Sequence, residues 1–199
     1  MSTTFDWYMI RALGLVATAA FTASAVLGAS SVRGGRTPAA MDRRLVRQLV
    51  HRSTALIGLG ALLGHLAFVL IDTYVPTSLS GLLIPFTAGY RPFALGLGSL
   101  ALYALLVTAV SGWLRGGFAG RIGDDVWRRI HYASYIGWAL AVGHGFLAGS
   151  DSHRGWAELG YVACVALVAA AAAWRFLGAE SPRTIDHTGR RRLVHRSAR

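Results

Sequence analysis

Charge and cysteine are what this chain has least of. Only 15% of its 199 residues are charged while 54% are hydrophobic, and the mean hydropathy is +0.46. An ordinary soluble domain carries about 25% charged residues, so the scarcity argues against a soluble fold and for an integral membrane protein. The single cysteine, Cys164, lies in an apolar run. It leaves no intramolecular disulfide, no cysteine-ligated iron–sulfur cluster and no zinc knuckle, so any metal chemistry falls to histidine. Lysine is absent, all twenty basic residues being arginine, and no function follows from that. The formal charge of +11 would suggest nucleic acid if the arginines clustered on one folded face. They lie instead in the gaps between apolar runs, which makes the charge topological and argues against a nucleic-acid partner.

A bilayer demands about 20 apolar residues per helix, and five segments meet that demand, at 7–29, 53–71, 93–114, 130–148 and 156–177. The expected fold is an all-α membrane protein, a five-transmembrane-helix bundle over 1–177, with a basic, disordered cytoplasmic tail at 178–199. Positive residues stay on the cytoplasmic side. Arg33, Arg36, Arg43, Arg44, Arg47 and Arg52 fall in the first connection, and Arg115, Arg121, Arg128 and Arg129 in the third. Arg175, Arg183, Arg190, Arg191, Arg192, Arg196 and Arg199 fall at the last helix end and tail. Only Arg11, Arg91 and Arg154 fall on the other side. The bias predicts a multi-pass protein of the cell membrane, N-terminus outside and C-terminus cytoplasmic.

Three other signals have simpler explanations. "ASAVLGAS" offers small residues for signal-peptide cleavage, but a signal peptide wants positive charge before its apolar core, and here the arginines follow it. "GLGSLA" at 96–101 matches the dinucleotide-binding fingerprint by letters only, because that motif works between a strand and a helix in water. Within a span it reads as helix packing, as does Gly60 with Gly64. "GRRRLVHRSAR" reads as a cytoplasmic basic tail, with His187 and His195 as solvated residues.

Ionisable residues inside spans are rare and usually functional. Two spans carry nearly the same arrangement: His51 with His65, related as i and i+14, and His131 with His144, related as i and i+13. Both helices start at the cytoplasmic side and run parallel, which pairs His51 with His131 at an inner level and His65 with His144 at an outer one. The levels stand roughly 20 Å apart along the axis, enough for two flat cofactors, each gripped by one imidazole from each helix. Imidazole is a standard axial ligand of haem iron, and Gly64, Gly143 and Gly145 would let a bulky planar group approach the outer level. A step of 14 returns to within about 40° of the starting face, but a step of 13 lands about 140° away, so the second helix must tilt, kink or unwind locally, Gly137 or Gly143 being the places expected to permit it. Singly, each histidine also fits an interfacial or helix-bridging role.

In "HRSTALIGLGALLGHLAFVLID" and "RRIHYASYIGWALAVGHGFLAGSD" the chain resembles the ferric reductase and NADPH oxidase transmembrane domain, across nearly all five spans. The resemblance implies two b-type haems, the inner held by His51 and His131, the outer by His65 and His144, with the shorter second spacing tolerated. Family members often have six spans, and the cytoplasmic dehydrogenase domain that binds FAD and NADPH has no counterpart here, so the resemblance implies a separate flavoprotein or a quinol as electron donor. A similar domain serves as the haem-binding membrane subunit of a periplasmic methionine sulfoxide reductase.

Haem propionates want cationic donors, which makes Arg52, Arg128 and Arg129 candidates at the inner level and Arg11 at the outer one. For the first three, the orientation rule alone is an equal explanation. Trp138, midway between His131 and His144, either shortens an electron's path or packs helices. Asp151 and His153 are candidates for binding an acceptor or relaying protons, and Asp124 and Asp125 for docking a donor; ordinary polar loops explain both pairs too. The expected function is transmembrane electron transfer to an external acceptor such as ferric iron, oxygen or a periplasmic redox partner. The chain would be the membrane component of an oxidoreductase. The alternatives are a haem-free proton or solute permease and a membrane assembly subunit.

Overall fold

The structure is a computed structural model that describes residues 3–30, 37–115, 121 and 123–177. The expected tail at 178–199, with His187 and His195, lies outside the described residues, as do Arg33 and Arg36. Among the described residues every regular element is a helix.

Helix α1 spans Thr3–Ser30, and α2 spans Pro38–Ile71. The start of α2 is set by Thr37, whose hydroxyl accepts from the Ala40 N–H, and by Pro38 in the first turn. Its end is set by Asp72, whose carboxylate accepts from the N–H groups of Tyr74 and Val75. The apolar window at 53–71 therefore misses the part of this helix from 38 to 52. An apolar window detects only what lies in lipid, whereas the preceding Ala, Leu, Gln and Arg are good helix formers with a capped start. A short helix α3, Leu79–Leu83, is capped by Ser78. Next come α4, Pro92–Trp113, α5, Asp124–His131, α6, Ala133–Ala148, and α7, Gly155–Leu177.

Four helices, α1, α2, α4 and α7, are long and apolar enough to cross a membrane. The fourth expected segment, 130–148, divides at Tyr132 into the end of α5 and all of α6. The Tyr132 N–H bonds the carbonyls of both Arg128 and Arg129, and Tyr135 N–H bonds Tyr132, so the chain tightens into three-residue bonding there. This is where the irregularity demanded by the shorter histidine spacing occurs. Gly137 and Gly143, where it was expected, both lie within α6.

The helices pack as two hairpins. α1 lies chiefly on α2, and α4 chiefly on α6, with α7 closing against α1. The histidine helices α2 and α6 are not principal packing partners of each other. Small residues line the contacts, including Ala17, Ala61, Ser99 and Ala101, while Leu56, Ile57 and Leu63 of α2 and Leu159, Val162 and Leu167 of α7 face outward. Small inside and greasy outside is the pattern of a bundle whose solvent is lipid. Where α1, α6 and α7 meet, Trp138, Val142 and Val168 form a cluster with Phe21, Val26 and the free Cys164.

Candidate functional site

The two hairpins bring four imidazoles together in two pairs. The His51 and His131 ring centroids are 6.4 Å apart, and those of His65 and His144 are 6.3 Å apart, with interplanar angles of 66° and 83°. The pairing by depth that the spacings predict is the pairing found. Along α2 the two levels are about 21 Å apart.

One nitrogen of each ring is occupied. Nδ1 of His65 lies 2.8 Å from the Ile10 carbonyl, Nδ1 of His144 lies 2.8 Å from the Ala94 carbonyl, and Nδ1 of His51 lies 2.8 Å from the Ser24 carbonyl and 3.0 Å from its hydroxyl. A carbonyl only accepts, so in these three rings Nδ1 carries the proton. His131 differs, with Nδ1 3.4 Å from the Ser111 hydroxyl. That hydroxyl donates to the Thr108 carbonyl, so it too is left to accept from the ring. Among the described residues every hydrogen bond of these rings runs through Nδ1, which leaves Nε2 without a hydrogen-bond partner. Metal-ligating histidines are typically held this way, one nitrogen donating to a carbonyl and the other facing the metal.

The ring separations fit a metal ion between each pair. A metal–nitrogen bond of about 2 Å on each side, with roughly 1.2 Å from nitrogen to ring centre, places two centroids about 6.4 Å apart. Each level offers only two such donors, and among the described residues no group of three His, Cys, Asp or Glu side chains can hold a metal ion. An ion at either level would have to bring its remaining ligands with it, as a planar macrocycle does.

The structure places the expected supporting residues less favourably. Arg11 follows Ile10, whose carbonyl receives His65, but its guanidinium is paired with Asp151 and lies 4.3 Å from the Trp7 ring centre. Asp151, the candidate acceptor ligand, holds Arg11 with one oxygen and Arg154 with the other. His153 is exposed, edge-on to Phe146. Arg52 and Arg129 are exposed, and Arg128 is bridged to Asp125 at 3.2 Å, with side chains 52% and 85% exposed. Asp124 and Asp125 occupy the first turn of α5, where carboxylates favour the positive end of the helix. Trp138 is buried, and its Nε1 donates to the Thr22 hydroxyl at 2.9 Å.

The glycines expected to open the outer level to a planar group face protein instead. A side chain at Gly64 would meet Leu13, one at Gly143 would meet Leu97, and one at Gly145 would meet the Tyr161 hydroxyl. Gly60, expected at a helix contact, faces open space, whereas Gly96 packs against Phe86.

Sequence reasoning missed Trp127. Its ring stacks on His131, with centroids 4.9 Å apart and planes within 17°, its Nε1 donates to the Ser111 carbonyl, and the Arg115 guanidinium lies 4.4 Å from its centre. The signal was available: Trp127 stands one helical turn before His131 and so shares its helix face. The acceptors for Nδ1 carried no such signal, because every residue has a carbonyl. No family model, curated protein or solved structure matches the chain.

Proposed function

We propose that this chain is a transmembrane electron conduit, a ferric reductase-like membrane component that binds two b-type haems through four histidines. His51 and His131 are the ligands of the inner haem, and His65 and His144 those of the outer. The observation that carries this reading is the repeated ring separation, 6.4 Å at one depth and 6.3 Å at the other, with Nε2 free in every ring. The scant direct packing between α2 and α6 supports it, since a flat group needs that space.

In this reading α5 and α6 together make the fourth of five crossings. The arginine bias sets the N-terminus outside and the C-terminus in the cytoplasm. Haem iron, when bound, supplies one-electron chemistry. The chain supplies the rest: the carbonyls of Ile10, Ser24 and Ala94 and the hydroxyl of Ser111 hold each imidazole in one tautomer, and the apolar helices keep water from the path. Trp138, which lies along α6 between His131 and His144, donates to Thr22 and packs among Val142, Val168 and Phe21. Electrons come from a separate flavoprotein or a quinol and leave to an external acceptor such as ferric iron, oxygen or a periplasmic redox protein.

The test is a reduced-minus-oxidised absorption spectrum of the protein in detergent, with pyridine haemochrome quantification, on wild type and on His65→Ala and His144→Ala. The expected result is about two b haems per chain, with loss confined to one haem in each variant. Colourless protein from haem-replete cells would overturn the proposal and leave a permease or an assembly subunit.

A further inference from the structure

Four glycines stand opposite the four imidazoles. A β-carbon built on Gly98 would lie 2.8 Å from Nδ1 of His144; on Gly14, 3.3 Å from Nδ1 of His65; on Gly28, 3.3 Å from Cε1 of His51; and on Gly112, 3.6 Å from Cε1 of His131. Gly14 and Gly28 belong to α1, Gly98 and Gly112 to α4, and both pairs stand in the same i, i+14 relation as His51 and His65. The interval equals the histidine spacing in the first hairpin and exceeds it by one position in the second.

The glycines also hold a fixed relation to the acceptors. Ile10, Ser24 and Ala94, whose carbonyls receive Nδ1, each stand at i when the glycine is i+4. In an α-helix the carbonyl of residue i lies below residue i+4, and the Cα–Cβ bond tilts toward the N-terminus. A side chain at i+4 therefore overhangs the flank of that carbonyl, where a ring from the neighbouring helix must enter to reach the second lone pair. At the fourth position the same offset holds between Thr108 and Gly112, and the Thr108 carbonyl is reached through the Ser111 hydroxyl. Three sites on two helices share one device, and the fourth is a variant of it that works through a hydroxyl.

We infer that Gly14, Gly28 and Gly98 are positioning residues, each uncovering one helix carbonyl so that the opposing histidine donates to it through Nδ1 and presents Nε2 to its partner ring, while Gly112 leaves room for His131 beside the Ser111 hydroxyl that receives its Nδ1. Their bearing on electron transfer rests on the haem reading, but the positioning is measurable without haem. The distances rank the sites. An alanine at Gly98 forces a shift, one at Gly14 or Gly28 needs the ring to give by a few tenths of an ångström, and one at Gly112 is in ordinary contact.

The experiment is ¹⁵N-histidine solid-state NMR of the haem-free full chain in lipid, reading the Nδ1–H tautomer, with each signal assigned by single histidine substitutions. Wild type should show four membrane histidines protonated at Nδ1. Gly98→Ala should move or abolish the His144 signal and leave the other three. Two controls separate positioning from packing: Gly60→Ala, which meets open space, and Gly137→Ala, which crowds Ala104 and Leu105 on the same pair of helices. Both should leave all four signals in place. If Gly98→Ala fails to accumulate, Gly14→Ala reports the same effect on His65. An unchanged His144 signal in Gly98→Ala, or an equal change in Gly137→Ala, overturns the inference. Haem titration of the same samples is read separately: a wild type that shows the tautomer pattern but binds no haem leaves the positioning standing and removes the haem reading.

Discussion

The two hairpins solve one problem by different means. In the first, α2 runs unbroken from Pro38 to Ile71 and carries His51 and His65 at a spacing that nearly restores the starting face. In the second, the spacing from His131 to His144 is one position shorter, and the chain breaks at Tyr132 immediately after His131. The break frees the angle of one histidine from that of the other, and the cost falls on His131. Of the four, it alone lacks a direct carbonyl partner, relies on a hydroxyl at 3.4 Å, and is steadied by the stacked Trp127. Regular spacing gives positioning through the helix itself, whereas irregular spacing needs extra contacts.

The widest test of this contrast is a single inserted alanine in each hairpin. An alanine inserted after Gly58, in mid-α2, turns His51 by about 100° relative to His65, and haem content should fall from about two to one or fewer per chain. An alanine inserted after Tyr132 lengthens the second spacing to equal the first at a turn that can absorb it, and about two haems should remain. Equal loss in both variants would break the comparison.

A smaller effect sharpens it. Ser111→Ala removes the hydroxyl that receives Nδ1 of His131, while Ser24→Ala leaves the Ser24 carbonyl on His51. A net hydrogen bond is worth about 1 kcal/mol, on the order of 40 mV for a one-electron couple. Potentiometric titration should therefore show the inner site displaced by up to that amount in Ser111→Ala and by much less in Ser24→Ala.

A separate contrast, read in stability rather than in haem, concerns the arginines. Arg11 and Asp151, with side chains 17% and 13% exposed, tie α1 to the turn before α7, so Arg11→Met should cost about 2 kcal/mol and lower the Tm by several degrees. Arg128→Ala breaks an exposed pair and should cost under about 0.5 kcal/mol.

What could be read from the sequence follows from where the information sits. The four histidines and their pairing by depth were legible, because spacing and helix direction are properties of single segments. Some tilt, kink or unwinding was legible as a necessity, since the step from His131 to His144 does not close a whole number of turns, but neither its form as a break nor its location at Tyr132 was. It fell at the junction of the charged α5 with the apolar α6 rather than at a glycine. The true extent of α2 was missed because its first turns are helical without being apolar throughout. Arg11 was placed near the outer pair, yet its partner Asp151 comes from the turn before the last helix, and nothing local announces that its charge is already engaged. The glycines beside the histidines, Gly64, Gly143 and Gly145, drew notice by adjacency, while those that face the rings lie on other helices.

Each pair of imidazoles is divided between hairpins, and this sets an order in time. His51 and His65 leave the ribosome well before His131, and at ordinary rates of synthesis the stretch from His65 to His131 takes roughly 3–13 s. Through that interval the first hairpin is complete and already holds half of both sites. A chain halted between the hairpins can close neither pair, so both levels wait for α5 and α6.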